Sequence, residues 1–245
     1  MSSIFITGST DGLGRMAAQL LIHRGHAVYL HARNASRAED ARRNLPGAAD
    51  VLTADLSNLG AARQLAEKAN AVGRFDAVIH NAAVLGTDGR TMATVNTLSP
   101  YVLTCLMERP ERLVYLSSND HSWGRMQLDE LEKHAPDIRY ADTKLQIAAF
   151  ALAVARHWPK VSSNAVDPGW VATKMGGAGA PDDLQQGHLT QAWLAEGADG
   201  ATGHSGEYFY HKHGADLKDV ARDPQVQDAL LDTCARATGI KFPEA

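Results

Sequence analysis

The stretch TGSTDGLG, residues 7–14, governs the reading of the whole chain. It follows a short apolar run, SIFIT at 3–7, and opens a segment in which Leu13, Ala17, Leu20 and Leu21 recur at helical spacing up to Gly25. Apolar run, glycine turn and periodic segment together make a strand–turn–helix unit. Gly8, Gly12 and Gly14 suit a turn where backbone approaches a phosphate and a helix then packs on a strand, since both tasks disfavour a Cβ. The first turn of that helix offers unpaired N–H groups and a favourable field for an anion. A plain glycine turn would look the same in isolation. The strand before it and the helix after it favour dinucleotide binding.

Outward from this unit, strand-like runs alternate with helical patterns. Further strands are expected at 27–32, 50–55, 75–81, 112–118, 161–169 and 206–211. Helices are expected at 59–71, 91–108, from Tyr140 to just before Pro159, and at 224–237. Residues 170–205, rich in Gly, Ala and polar side chains, read as mobile loop and helix. The alternation implies right-handed βαβ units and a parallel sheet covered on both faces. The expected fold is therefore α/β: a single-domain, doubly wound Rossmann fold over residues 1–245. Its sheet has about seven parallel strands with helices on both faces, and the ligand lies at their carboxyl ends.

Composition narrows the function classes. With 44% hydrophobic and 21% charged residues the balance is that of an ordinary globular domain. A formal net charge of -4 gives no electrostatic case for nucleic acid or an anionic membrane. Cys105 and Cys234 have no ligand spacing and suit a reducing compartment. No apolar run is long enough to span a bilayer, and no basic-then-apolar signal precedes the first strand, so the expectation is a soluble, cytoplasmic protein. No metal site is expected. His211 and His213 have no ligand partner at metal spacing, and His23 and His26 suit the dipole at a helix end.

A second constellation lies at RYADTKLQ, residues 139–146, where Tyr140 and Lys144 are four apart and share one helix face. A free phenol titrates near about 10, and lowering that by three units needs roughly 4 kcal/mol. A nearby ammonium in a partly desolvated site favours the phenolate. A packed tyrosine beside a solvated lysine would show the same spacing.

TGSTDGLG and YADTK, in this order and at this separation, resemble the short-chain dehydrogenase/reductase family over nearly the whole chain. The long segment between Ser118 and Tyr140 is similar to that of the retinol-dehydrogenase-like branch. The resemblance implies a nicotinamide dinucleotide held by Gly8, Ser9, Thr10, Gly12, Leu13 and Gly14. After the second strand, in HARN, the acid position is Ala32 and Arg33 follows, then Asn34. A guanidinium there favours a 2′-phosphate, so NADP(H) is preferred, with NAD(H) as the alternative. Asp11, inside the turn, departs from NADP-preferring relatives; it is also suited to cap the helix. Asp55 and Leu56 are assigned to the adenine, Asp55 alternatively to a helix cap. Asn81, Ala82 and Ala83 correspond to the family's backbone contact on the adenosine side, with His80 and Ala83 as departures.

By the same resemblance Tyr140 is the general acid/base, and Lys144 acidifies it and holds the nicotinamide ribose. Ser118, rather than Ser117, polarises the substrate oxygen, and Asn96 holds a water in the proton relay. Pro168, Gly169, Val171 and Thr173 contact the nicotinamide side, and a substrate loop around 174–205 acts as a lid. Tentative substrate contacts are Ser118, His121 and Trp170, with Trp123 also near the mouth. The insert before Tyr140 is expected to be mostly solvated, with a short helix around 129–133.

The implied activity is that of a carbonyl reductase or alcohol dehydrogenase on a small molecule, apolar around its reacting carbon. A non-catalytic nicotinamide-binding regulator and a sugar-nucleotide epimerase or dehydratase are the alternatives. The apolar residues of the helix from Tyr140 run around most of its circumference, which suits a homo-oligomer paired through that helix or burial within one chain.

Overall fold

The computed structural model describes residues 1–197, 201 and 203–244. The part of the expected substrate loop at 198–200 and 202 lies outside the described residues. The strands are β1 (Ser3–Ile6), β2 (Ala27–Ala32), β3 (Asp50–Thr53), β4 (Ala77–His80), β5 (Arg112–Leu116), β6 (Ser162–Asp167), β7 (Tyr208–Tyr210) and β8 (His213–Gly214). The helices are α1 (Gly12–His23), α2 (Ala35–Asn44), α3 (Leu59–Val72), α4 (Gly89–Ala93), α5 (Ser99–Leu106), α6 (Leu128–Glu132), α7 (Tyr140–His157), α8 (Leu189–Glu196) and α9 (Pro224–Thr238).

The strands form one sheet in the order β3-β2-β1-β4-β5-β6-β7-β8. All neighbours pair parallel except β7 and β8. Strand order reverses between β1 and β4, and the ends of those strands make the crevice where such sheets bind ligands. The doubly wound reading therefore holds, with a two-residue antiparallel edge strand added. Apolar side chains of α3, α5, α7 and α9 pack on one face of the sheet, and those of α1, α2 and α8 on the other.

The glycine turn is fixed from three sides. Ser9 Oγ donates to Ile6 O (2.8 Å) and accepts from His31 N–H (2.9 Å). Asn81 Nδ2 donates to the carbonyls of Thr7 and Gly8 at 3.0 and 3.1 Å. The His31 ring accepts the Gly8 N–H on Nδ1 (3.0 Å), so the proton sits on Nε2, which donates to Ala54 O (3.0 Å). Burial pushes the pKa of this neutral ring down to about 4, opposed in part by the bond to Ala54 O.

A single long helix was expected at 91–108; the chain instead makes α4, a π-helical turn over Thr94–Leu98, and α5. Pro100 has no N–H to give the carbonyl of Asn96 four residues earlier, and the Ser99 N–H reaches back five residues to Thr94 O.

The segment before Tyr140 is exposed or half-exposed along most of its length, but two apolar side chains anchor it. Leu131 and Ile138 are fully buried in the core, and α6 packs on α9. The all-round apolar character of α7 is likewise satisfied inside the chain. Helix α9 packs along α7, Arg156 Nε donates to Gln227 Oε1 (3.1 Å), and Phe242 stacks on Trp158 at the helix end. The apolar circumference of α7 is thus accounted for within one chain.

Two outcomes follow from the packing. Leu230, wholly buried where α9 meets the core, should cost about 2–5 kcal/mol when cut to alanine, read by urea denaturation. The folded-state pKa of His31 lies below its unfolded value of 6.5, so its contribution is intact above pH 6.5 and lost as pH falls toward 4. Between those limits, at pH 5, that loss is about 2 kcal/mol. His31→Gln should remove this share of the acid arm, and an unchanged arm would contradict the assignment.

Candidate active site

Two cavities open at the carboxyl ends of the strands and share Leu13, Ser117, Tyr140, Pro168, Thr173 and Met175. The first, a cleft of about 620 Å³, runs from the glycine turn to Lys144. The second, a chamber of about 940 Å³, lies between the ends of β5, β6 and β7 and the loop after β6.

The cleft collects most of the residues singled out for a dinucleotide: Gly8, Thr10, Gly12, Leu13, Arg33, Asp55, Leu56, Asn81, Ala82, Ala83, Tyr140, Lys144, Pro168 and Thr173. Gly8 has φ +63, and an added Cβ would lie 2.8 Å from Ala82 Cα, so this glycine lets β1 and β4 end side by side. Gly12 has φ +52, and a Cβ there would meet only Thr173, at 3.8 Å. It keeps the cleft open.

Three turn and strand-end residues stay out of the cleft. Ser9 is buried beneath the turn, with its hydroxyl spent on Ile6 and His31. Gly14 packs against Asn81, where a Cβ would fall 2.4 Å from Nδ2. Asn34 caps α2 through the Arg37 N–H. Asp55 does not cap α3; Asn58 does, and Asp55 Oδ1 accepts from the Ser57 N–H and hydroxyl at 3.0 and 2.8 Å.

Asp11 caps α1 through the Gly12 N–H (2.9 Å) and is ringed by cations. Lys174 Nζ is 2.5 Å from its carboxylate and Arg37 Nη2 3.5 Å, and Lys174 above all holds the carboxyl below its usual range. Arg37 also donates to Thr10 Oγ1 (3.2 Å) and lines the cleft. Sequence reasoning passed over Arg37 and His31. Helix α2, which carries Arg37 one turn past Arg33, has the caps and polarity of a surface helix and no apolar signal.

The reacting pair sits where α7 begins. Asp142, fully buried, accepts from the Arg139 N–H (2.9 Å), the Arg139 guanidinium (2.7 Å) and the Arg125 N–H (2.8 Å). Burial raises its carboxyl, and these bonds outweigh that and hold it below its usual range. This box fixes Tyr140 as the first helical residue. Lys144, one turn on, is 3% exposed; Nζ donates to Leu116 O (2.8 Å) and lies 5.2 Å from the Tyr140 ring centroid. Burial pushes its pKa down to about 8, against the opposing pull of Asp167 and Asp120. The expected acidification of Tyr140 is absent in the protein alone. Burial, then the charges of Asp120 and Asp167, push the phenol up.

Ser117 is buried and donates to Lys144 O (2.8 Å), while Ser118 faces the chamber and accepts the Asp120 N–H (3.2 Å). Asn96 is buried; both its Nδ2 hydrogens go to Val84 O (3.0 Å) and Thr143 Oγ1 (3.1 Å), and Oδ1 accepts from the Val84 N–H (2.8 Å). Its side chain is a strut and does not reach the cleft.

Gly169 and Val171, expected on the cofactor, line the chamber instead, with Trp170 beside them. His121 does not line it. The ring is buried, with Nδ1 2.8 Å from Ser118 O and 3.2 Å from Tyr208 Oη, and it accepts the Lys218 N–H on Nε2 (3.2 Å). Trp123 points to solvent at 77% exposure. The chamber is not simply apolar either: Leu13, Leu85, Val171 and Met175 share its walls with Asp120, Asp167, Asp182 and Asp216.

A short chain dehydrogenase family profile matches residues 2–104. The chain is similar to short-chain dehydrogenase chyC of Penicillium rubens, 42% identical over 259 residues, covering 99% of this chain and 100% of that one. Human retinol dehydrogenase 13 is 29% identical over 199 residues, 71% of this chain and 60% of that one. Among solved structures, a blue fluorescent protein from a metagenomic library, in complex with NADPH, superposes with a TM-score of 0.72 at 21% identity, covering 85% of this chain and 95% of that one. The chain belongs to the short-chain dehydrogenase family of oxidoreductases.

Proposed function

We propose that the protein is an NADP(H)-dependent oxidoreductase that moves a hydride between nicotinamide and the carbonyl or alcohol carbon of a small molecule. Tyr140 is the general acid/base. One observation carries the reading: the dinucleotide-sized cleft and the chamber meet at the Tyr140 side chain. The cleft fits the cofactor on its own geometry, with an open face at Gly12 and two guanidinium groups, Arg33 and Arg37, at its far end. The NADPH held by the metagenomic neighbour is in keeping with this.

Bound there, the nicotinamide supplies the hydride and, when oxidised, a positive charge near Tyr140. In the reducing direction Tyr140 gives its proton to the developing alkoxide, a task suited to a phenol that burial, and then the charges of Asp120 and Asp167, keep protonated. Ser118 has accepted a backbone N–H and keeps its own O–H for the substrate oxygen. The Ser117 hydroxyl is already committed to Lys144 O. Lys144, buried and charged, lies against the Tyr140 ring and the ribose side of the cleft. Asn96 contributes its carbonyl to a water-borne relay, since Pro100 cannot donate to it. Pro168 and Thr173 wall the nicotinamide end, and Asp55 and Leu56 the adenine end.

Preference for NADP(H) over NAD(H) rests on Ala32 standing where a carboxylate would repel a 2′-phosphate, and on Arg33 and Arg37 facing that end. The unpaired Cys105 and Cys234 suit work in the reducing cytoplasm. Among the described residues no helix is long and apolar enough to cross a membrane.

Arg33→Asp should raise KM for NADPH far more than KM for NADH; equal effects would count against the 2′-phosphate assignment. Tyr140→Phe should lower kcat by about 10²–10⁴-fold while NADPH still binds, measured by nicotinamide absorbance and fluorescence titration. Full activity in that variant would overturn the mechanism.

A further inference from the structure

The loop after β6 reaches back to the glycine turn. Thr173 lies against Gly12, with Cγ2 3.8 Å from where a Cβ on that glycine would stand. The loop has a frame of its own. The Thr173 N–H donates to Val171 O (2.8 Å), the Gly177 N–H to Thr173 O (2.9 Å) and Trp170 Nε1 to Gly176 O (2.8 Å). From this frame the Lys174 side chain extends to the turn, where Nζ meets Asp11 Oδ2 at 2.5 Å. Hydride and proton transfer at Tyr140 make no use of this ammonium.

Asp11 is shared between two cations. Arg37 Nη2 lies 3.5 Å from the same Oδ2 and donates to Thr10 Oγ1 (3.2 Å). Lys174 Nζ and Arg37 Nη2 are therefore within about 6 Å of one another, on a single carboxylate oxygen. One carboxylate cannot balance both, and like charges at that separation repel. Both side chains line the cleft, with Arg33 at the same end facing Asp55. Three cations thus stand against two carboxylates. A second anion placed between Lys174 and Arg37 relieves their repulsion. A phosphate monoester, with close to two charges, does so better than either singly charged phosphate of a pyrophosphate. A carboxylate that alone would repel a phosphate here gathers two groups that attract one.

We propose that Lys174 is a further specificity residue for the cofactor: with Arg37 it holds the 2′-phosphate of NADP(H), and Asp11 positions the pair. The inference rests on the NADP(H) reading of the cleft and adds to it a cation from the far side of the sheet order. Its consequence lies at the other end of the cofactor. Met175, the next residue, lines both the cleft and the chamber. A phosphate on the adenosine ribose thereby straps down the loop that walls the substrate space.

The test is equilibrium binding by calorimetry. Its ligands are 2′,5′-ADP and 5′-AMP, which differ by that one phosphate and lack nicotinamide, and NADP+ and NAD+. The Lys174 side chain is 80% exposed, so its contribution is screened. Lys174→Met should weaken 2′,5′-ADP and NADP+ about fivefold more than 5′-AMP and NAD+. Lys174→Arg should restore most of that difference, and added salt should narrow it in the wild type. Equal weakening within each pair, or none, would overturn the inference; the NADP(H) reading would stand if the wild type still favours the phosphorylated member. A wild-type protein that binds 2′,5′-ADP no better than 5′-AMP would overturn both.

Discussion

An ammonium taken out of water needs acceptors and countercharge, and the carboxyl edge of the sheet is arranged around that of Lys144. Its Nζ donates to the carbonyl that ends β5, and its backbone carbonyl accepts the hydroxyl of Ser117, the next residue along. Asp167, at the end of β6, and Asp120, in the turn after β5, pull its pKa back up against burial. The Asp142 box sets where α7 starts and so puts Lys144 at this junction. Strand ends, helix start and turn are thereby tied to one charge. Removing any of them leaves that charge less well matched, and a buried, unmatched charge is among the costliest defects a fold can carry.

The same two carboxylates act on Tyr140 in the opposite sense. They favour the protonated lysine and disfavour the phenolate, adding in the second case to burial, which raises the phenol most. The protein by itself therefore holds a proton donor ready, which suits reduction. Arg33, Arg37, Lys144 and Lys174 line the cleft with Asp11 and Asp55, four aspartates line the chamber, and the tyrosine belongs to both.

The fold was largely legible in the sequence because its signals are local. β2 and the start of α7 fall where the apolar periodicity puts them, and the glycine turn joins β1 to α1. What periodicity missed depends on partners distant in the chain. The π-helical turn follows from Pro100, whose effect on the carbonyl of Asn96 does not alter the apolar pattern. Leu131 and Ile138 look like isolated apolar residues in a polar insert until α9 comes to cover them. Ser9 and His121 have the residue types of a binding site, but tertiary hydrogen bonds consume both. The direction of the Tyr140 shift was illegible for a related reason. Lys144 is its neighbour in sequence, whereas the burial that raises the phenol most, and the charges of Asp120 and Asp167 after it, arise only when the chain folds.

The boundary at Tyr140 is most directly tested by its own ionisation. Tyrosinate absorbance is titrated in the cofactor-free protein, and the curve of the Tyr140→Phe variant is subtracted. The account predicts that the Tyr140 component appears only above the free phenol value of about 10. A Tyr140 phenolate already forming near neutral pH in the cofactor-free protein would contradict it.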